Sequence, residues 1–459
     1  MKNKGLLSAL LLGFGLAGKA NVSLPAIFSD GMVLQRESEV SIWGYANPSE
    51  EITITTSWDG AEYKTKGTSL ARFAVTVATG KAGGPYTITI KGWNERIIND
   101  IWLGEVWLCS GQSNMEMTPS WGLADREAEV AKADDPMIRV ATISKKTSRS
   151  PQDDVPITWQ PITPEVMKNT SSVAYFFARR LREEMPDVPI GLIVSAWGGS
   201  PAEIWIPEQV IAADNYLKQA ASALTDNPWS PHLPGNAYNA MIHPLTPYRI
   251  AGTLWYQGES NTGAPHYETT LVALIDAWRS AWGYTFPFYI VQIAPYRYEN
   301  NEFGGGAVRN AQRKVLSMRE KVGMVVISDV STIDDIHPQN KKPVGQRLAG
   351  LALAEVYGIN KGENQGPMYD GWHADGKKAI VRFRHAAGLR FSTKKSQLFE
   401  MAGENGIFHV ANARISGAEV ILTSAEVDAP LHIRYAARSA DIPDLFNAAG
   451  LPASTFLSD

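Results

Sequence analysis

The sequence predicts an α/β protein: a doubly wound parallel sheet with β-rich segments on both sides of it. Three observations carry this. Between about 101 and 360, short apolar runs alternate with runs of helical period. Those apolar runs are continuous, as in strands covered on both faces. Outside that stretch the helical period is lost and two-residue alternation takes over.

Taken in order, the first 20 residues stand apart. Met1-Lys2-Asn3-Lys4 is basic, Leu6 to Ala17 is apolar, and Gly18-Lys19-Ala20 fits a small-x-small cleavage site. Residues 1–20 therefore read as a signal peptide, and the chain is expected to be secreted or periplasmic. The apolar run is short for a bilayer, and no later run reaches about 18 residues, so no membrane anchor is expected after signal removal.

Residues 21–100 read as a sandwich-like β-domain. Val40-Ser41-Ile42-Trp43, Ile52-Thr53-Ile54-Thr55 and Tyr86-Thr87-Ile88-Thr89-Ile90 alternate, with Ala46-Asn47-Pro48 and Gly83-Gly84-Pro85 as turns between them. Residues 101–365 form the central domain. Its strands are expected at 105–108, 191–196, 252–256, 288–293 and 324–328, and its helices at 174–185, 268–282, 307–320 and 343–357. Ligands of such sheets bind at the carboxyl ends of the strands. Residues 366–459 return to β character, as in Ala379-Ile380-Val381-Arg382-Phe383-Arg384 and Glu419-Val420-Ile421-Leu422.

Composition narrows the function. The 459 residues are 44% hydrophobic and 20% charged, with net charge −4 and both signs scattered. No basic stripe points to nucleic acid. Cys109 is the only cysteine, so no internal disulfide can form, and its apolar strand makes it a buried small hydrophobe. The eight histidines contain no H-x-x-x-H pair, and one cysteine cannot build a thiolate zinc site. Gly304-Gly305-Gly306 lacks the lysine of a phosphate loop.

Four motif loops carry the chemistry. Val106-Trp107-Leu108-Cys109 leads into Gly111-Gln112-Ser113-Asn114-Met115-Glu116, a strand ending in a tight turn with a serine on it. A helix opening at Ser113 would aim free amides, its own among them, at an oxyanion. A serine hydroxyl needs a base. Asp334-Asp335-Ile336-His337-Pro338 offers one in His337, with Asp334 three residues earlier to fix its tautomer and Asp335 as a rival acid. Ser195-Ala196-Trp197-Gly198-Gly199-Ser200 and Trp255-Tyr256-Gln257-Gly258-Glu259-Ser260-Asn261 follow other strands and could supply oxyanion donors, although a plain turn and a helix cap are the bland alternatives. Glu259 reads as a structural hydrogen-bond acceptor. No G-x-S-x-G elbow is complete: Ile193 breaks it around Ser195 and Met115 around Ser113. Trp121, Trp197, Trp205 and Trp255 lie near the motifs and could stack on sugars, but packing is the commoner role.

Gly-Gln-Ser-Asn-Met-Glu, Trp-Tyr-Gln-Gly-Glu-Ser and Asp-x-x-His, in this order, resemble the sialate O-acetylesterase family of SGNH-type (GDSL-like) carbohydrate esterases. The stretches 24–35 and 445–454 resemble that family's opening and end, so the likeness covers nearly all of the mature chain. It implies an SGNH hydrolase domain at 101–365, with Ser113 as nucleophile, His337 as base and Asp334 as its partner. It implies oxyanion donors from the Ser113 amide, Gly199 (favoured over Gly198) and Gln257, the last where the SGNH name has asparagine. The implied reaction removes O-acetyl groups from sugars through an acetyl-serine, with no metal or organic cofactor. The partner is an O-acetylated glycan: sialic acid, or a plant-type glycan such as xylan, xyloglucan or pectin. The rivals are a lipase-like esterase on longer acyl chains and a non-catalytic glycan-binding protein.

Overall fold

The computed structural model describes residues 21–225, 227–359 and 362–458. The expected signal peptide, 1–20, lies outside the described residues.

The central sheet runs, edge to edge, Val322–Val325, Phe288–Val291, Gly252–Tyr256, Glu95–Gly111, Ile190–Ala196, Asp135–Thr142 and Trp159–Ile162. All neighbours are parallel except the last pair. Alternate residues of one strand face opposite layers. Val106 and Leu108 join the apolar cluster that contains Leu271, Leu274, Trp278, Val308 and Val315 of helices Tyr267–Trp282 and Gly304–Met318. Trp107 and Cys109 join the cluster of helices Ser172–Glu184 and Lys342–Glu355. Strands covered on both faces are why these runs read as continuously apolar. Each fully buried Leu- or Phe-sized side chain contributes roughly 1.5–3 kcal/mol. Ser171 starts helix Ser172–Glu184 by accepting from the Ala174 amide at 3.2 Å.

The expected strand at 105–108 is part of a 17-residue strand, Glu95–Gly111. Its first half pairs antiparallel with Gly83–Lys91 in the N-terminal β unit; its second half pairs with Ile190–Ala196 and Gly252–Tyr256. The N-terminal residues Ile42, Ile54 and Ile88 also belong to the cluster under the central sheet. Near residue 100 there is therefore no seam in the backbone or the core.

The C-terminal β unit has its own cluster, around Val381, Phe399, Val420 and Tyr435. It docks on helix Gly304–Met318. The fully buried Arg309 donates to the carbonyls of Ala436, Arg438 and Ser439 and to Thr455 Oγ1. The glycine triplet makes this approach possible: a Cβ on Gly306 would lie 1.7 Å from the Ala437 carbonyl oxygen.

The site follows from strand order. From Glu95–Gly111 the chain fills one side of the sheet and then crosses to the other at Gly252–Tyr256. Crevices form outside the carboxyl ends of the strands at such a switch. Gly111 lies there, opposite Ala196 on one neighbour and Tyr256 on the other.

Candidate active site

Ser113 is the first residue of the one-turn helix Ser113–Glu116 that follows Gly111. The turn is fixed by main chain. The Gln112 amide donates to the Tyr256 carbonyl at 3.0 Å, and the Trp197 amide donates to the Gly111 carbonyl at 3.0 Å. Gly111 takes φ +139°, and a Cβ there would sit 2.1 Å from the Tyr256 oxygen. Only glycine fits both conditions.

Ser113 and His337 line one cavity of about 720 Å³, with Gln112, Glu116, Trp121, Lys145, Gly198, Gly199, Trp229 and Glu259 among its other walls. Trp121 packs on the His337 ring, centroids 5.2 Å apart. Among the described residues no hydrogen bond joins Ser113 Oγ to His337. Such bonds are often long without substrate and tighten when it binds. Burial, then the charge of Lys341, hold the His337 pKa below its ordinary value, while Asp335 acts the other way.

The glycine donors separate. The Gly198 amide donates to Glu116 Oε2 at 2.6 Å, and Glu116 Oε1 also binds Lys145 at 2.6 Å. The amides of Ser113 and Gly199 make no hydrogen bond among the described residues. The Gly199 carbonyl accepts from Asn227 Nδ2 at 3.2 Å and from Ser230 Oγ at 2.9 Å. That pins the turn carrying Trp229, whose side chain is 73% exposed at the cavity wall.

Two expected residues stand elsewhere. Gln257 is fully buried and does not reach the cavity. Its Nε2 donates to the Ser200 carbonyl at 3.1 Å and Asn261 Oδ1 at 2.7 Å, and its Oε1 accepts from the Tyr267 hydroxyl at 2.7 Å. With both N–H groups used in the interior, none is left for an oxyanion. Asp334 points outward and binds Arg297 at 2.8 Å, with no bond to His337. Asp335 holds the loop instead, accepting from the His337 main-chain amide at 2.8 Å.

Sequence reasoning missed Gln112, Asn114, Lys341 and Trp229. Gln112 Oε1 accepts from the amides of Gly258 and Ser260 at 3.3 and 3.2 Å. Its amide nitrogen has no partner among the described residues, and the residue lines the cavity. Asn114 and Lys341 are both fully buried and bonded to each other. Gln112 and Asn114 were in view inside the serine motif, whereas nothing local marks Lys341 or Trp229. Of the tryptophans weighed from sequence, Trp205 and Trp255 are core, Trp121 is on the cavity, and Trp197 donates its indole N–H to the Trp229 carbonyl at 2.9 Å. Cys109 is buried, which pushes its thiol pKa far up.

The family model described as carbohydrate esterase, sialic acid-specific acetylesterase, matches residues 103–357. The sialate O-acetylesterases of Homo sapiens and Pongo abelii are each 29% identical over 439 residues, covering 87% of this chain and 83% of theirs. The crystal structure of a carbohydrate acetylesterase from Xanthomonas citri superposes with a TM-score of 0.86 at 34% identity, covering 96% of this chain and 100% of that one. The family match spans the whole parallel sheet and these likenesses extend over both β-rich flanks: the chain belongs to the carbohydrate esterase family of sialic acid-specific acetylesterases and is a carboxylic ester hydrolase.

Proposed function

We propose that Ser113 and His337 are the reacting pair of a carbohydrate O-acetylesterase. Ser113 Oγ attacks the acetyl carbonyl while His337 takes its proton. The oxyanion meets the free amides of Ser113 and Gly199 and the side-chain amide of Gln112. Collapse expels the sugar oxygen, which His337 protonates. Water, activated by the same histidine, then releases acetate from the acetyl-serine. The observation that carries this reading is one cavity lined by Ser113, His337 and the unpaired Gly199 amide.

Its volume of about 720 Å³ far exceeds an acetyl group and suits a sugar with neighbouring residues. Trp229 and Trp121, the latter 49% exposed, offer faces on which pyranose rings stack. The substrate class is O-acetylated glycan, whether sialic acid or a plant-type glycan such as xylan or xyloglucan.

Ser113→Ala should fold normally and lose about a thousandfold or more of its turnover on acetylated glycans and on p-nitrophenyl acetate. Retention of more than about a tenth of the activity would overturn the assignment. In the wild type, kcat/KM should fall from acetyl through butyryl to octanoyl esters of one alcohol. A preference for octanoyl would favour a lipase-like enzyme.

A further inference from the structure

We propose that Asn114, Glu259 and Lys341 form one positioning unit that sets where His337 stands relative to Ser113. The proposal rests on the reading of Ser113 and His337 as the reacting pair.

Asn114 directly follows Ser113 and is fully buried. Its Nδ2 donates to Glu259 Oε1 at 2.7 Å and to the Ile336 carbonyl at 2.9 Å. Its Oδ1 accepts from the ammonium of Lys341. Lysine can only donate and a carbonyl can only accept, so these partners fix the amide's orientation. Ile336 precedes His337, and Lys341 closes the same loop four residues later. One side chain next to the nucleophile thus grips the base loop on both sides of His337. It also ties both to the loop after strand Gly252–Tyr256, where Glu259 sits.

Folding gains little from this arrangement. Lys341 is fully buried, its ammonium 5.2 Å from the centre of the Tyr256 ring. Glu259 Oε2 and the hydroxyls of Tyr256 and Tyr298 are buried with no hydrogen-bond partner among the described residues. Incompletely satisfied buried charges are generally worse for stability than apolar side chains of similar volume. The benefit that offsets this cost is placement of the base.

Charge adds a second effect. From its own loop His337 faces Asp335, which favours the imidazolium, and Lys341, which opposes it. Asp334 is taken by Arg297. Glu116 and Lys145 are also on the cavity wall, paired with each other, and Glu259 is held through Asn114. Burial draws the Lys341 pKa down to about 7, against the pull of Glu259 and Asp335. Lys341 is therefore charged over the acid range in which His337 titrates, and it pushes the His337 midpoint down.

The test is Lys341→Met in the otherwise unaltered enzyme, assayed with p-nitrophenyl acetate from about pH 5 to 9. Turnover should fall about tenfold or more with KM within about twofold. The midpoint of the acid limb should move to higher pH, because the cation that disfavours imidazolium is gone. Lys341→Arg should bring the midpoint back towards wild type. A merely structural role would lower the melting temperature and leave the midpoint in place. A folded Lys341→Met with wild-type turnover and midpoint overturns the proposal. Should Lys341→Met not fold, Asn114→Ala decides: labelling of Ser113 by a fluorophosphonate should slow about tenfold or more, and labelling at the wild-type rate overturns the unit. Activity surviving in Ser113→Ala would instead overturn the nucleophile. Ser113→Ala dead beside a fully wild-type Lys341→Met overturns only the positioning unit.

Discussion

Ser113 stands on a turn whose geometry is set by main chain, whereas His337 stands on a loop whose geometry is set by side chains. The first is clamped by the Gln112 and Trp197 amides to strand ends in register. The second is held by Asp335 on its own amide, by Asp334 on Arg297 and by Asn114 on the Ile336 carbonyl. A backbone clamp does not titrate within the working pH range. The loop around His337 is held instead by charged side chains, and two of them, Asp335 and Lys341, act on the imidazole between them. The Ser113 side is therefore rigid, and the His337 side is adjustable through charge.

The strongest way to break this comparison is to attack the rigid side. Gly111→Ala puts a methyl group 2.1 Å from the Tyr256 oxygen at φ +139°. It should cost on the order of 3 kcal/mol or more and abolish activity, because the turn cannot shift without parting from both neighbouring strands. Urea unfolding and turnover would read both. A stable, active Gly111→Ala would show that the turn is softer than its hydrogen bonds imply.

The adjustable side should answer to charge. Asp335→Asn removes the carboxylate that favours the imidazolium, so the His337 pKa should fall further and the acid limb of the pH–rate profile should move to lower pH. This is opposite in sign to the shift expected for Lys341→Met. Asp334→Asn tests the spacing argument directly. If Asp334 stays on Arg297 during turnover, the loss should be about tenfold or less. A loss of about a thousandfold or more would mean that Asp334 leaves Arg297 and joins His337 when substrate binds.

The smallest effect on rate belongs to Gln257. Gln257→Leu removes two donated hydrogen bonds and one accepted one inside the interior, and so should lower the melting temperature by several degrees. Turnover of the folded enzyme should stay within about threefold. A hundredfold loss in kcat at unchanged stability would return Gln257 to the oxyanion hole.

These contrasts also mark what the sequence could disclose. The parallel sheet was legible because strands covered on both faces stay apolar at every position. That Ser113 and His337 share one cavity was legible because each sits in a motif loop after such a strand. Gln257 was misread because a position at a strand end says which loop a residue is on, not which way its side chain turns. Asn261, Ser200 and Tyr267 capture it inward. Asp334 was within reach of His337 by spacing, but its ion-pair partner Arg297 comes from another loop. Lys341 carried no signal, since nothing near it in sequence shows that it is buried and bonded to Asn114. The expected break near residue 100 had a different origin. The pattern changes there because the strand passes from partial cover to cover on both faces, not because the chain begins a new body.

That continuous strand, Glu95–Gly111, bears on how such chains can be recombined. The C-terminal unit brings its own apolar cluster and meets the rest along helix Gly304–Met318 and at Gln292, so exchanging it as a module would mean matching that seam. The N-terminal unit offers no such freedom. A chimera spliced at residue 100 would give one strand two parents, and the register that levels Gly111 with Ala196 and Tyr256 would be inherited half from each. The far end of the strand that leads to Ser113 is woven into the N-terminal β unit, so that unit and the Ser113 turn pass to a descendant together.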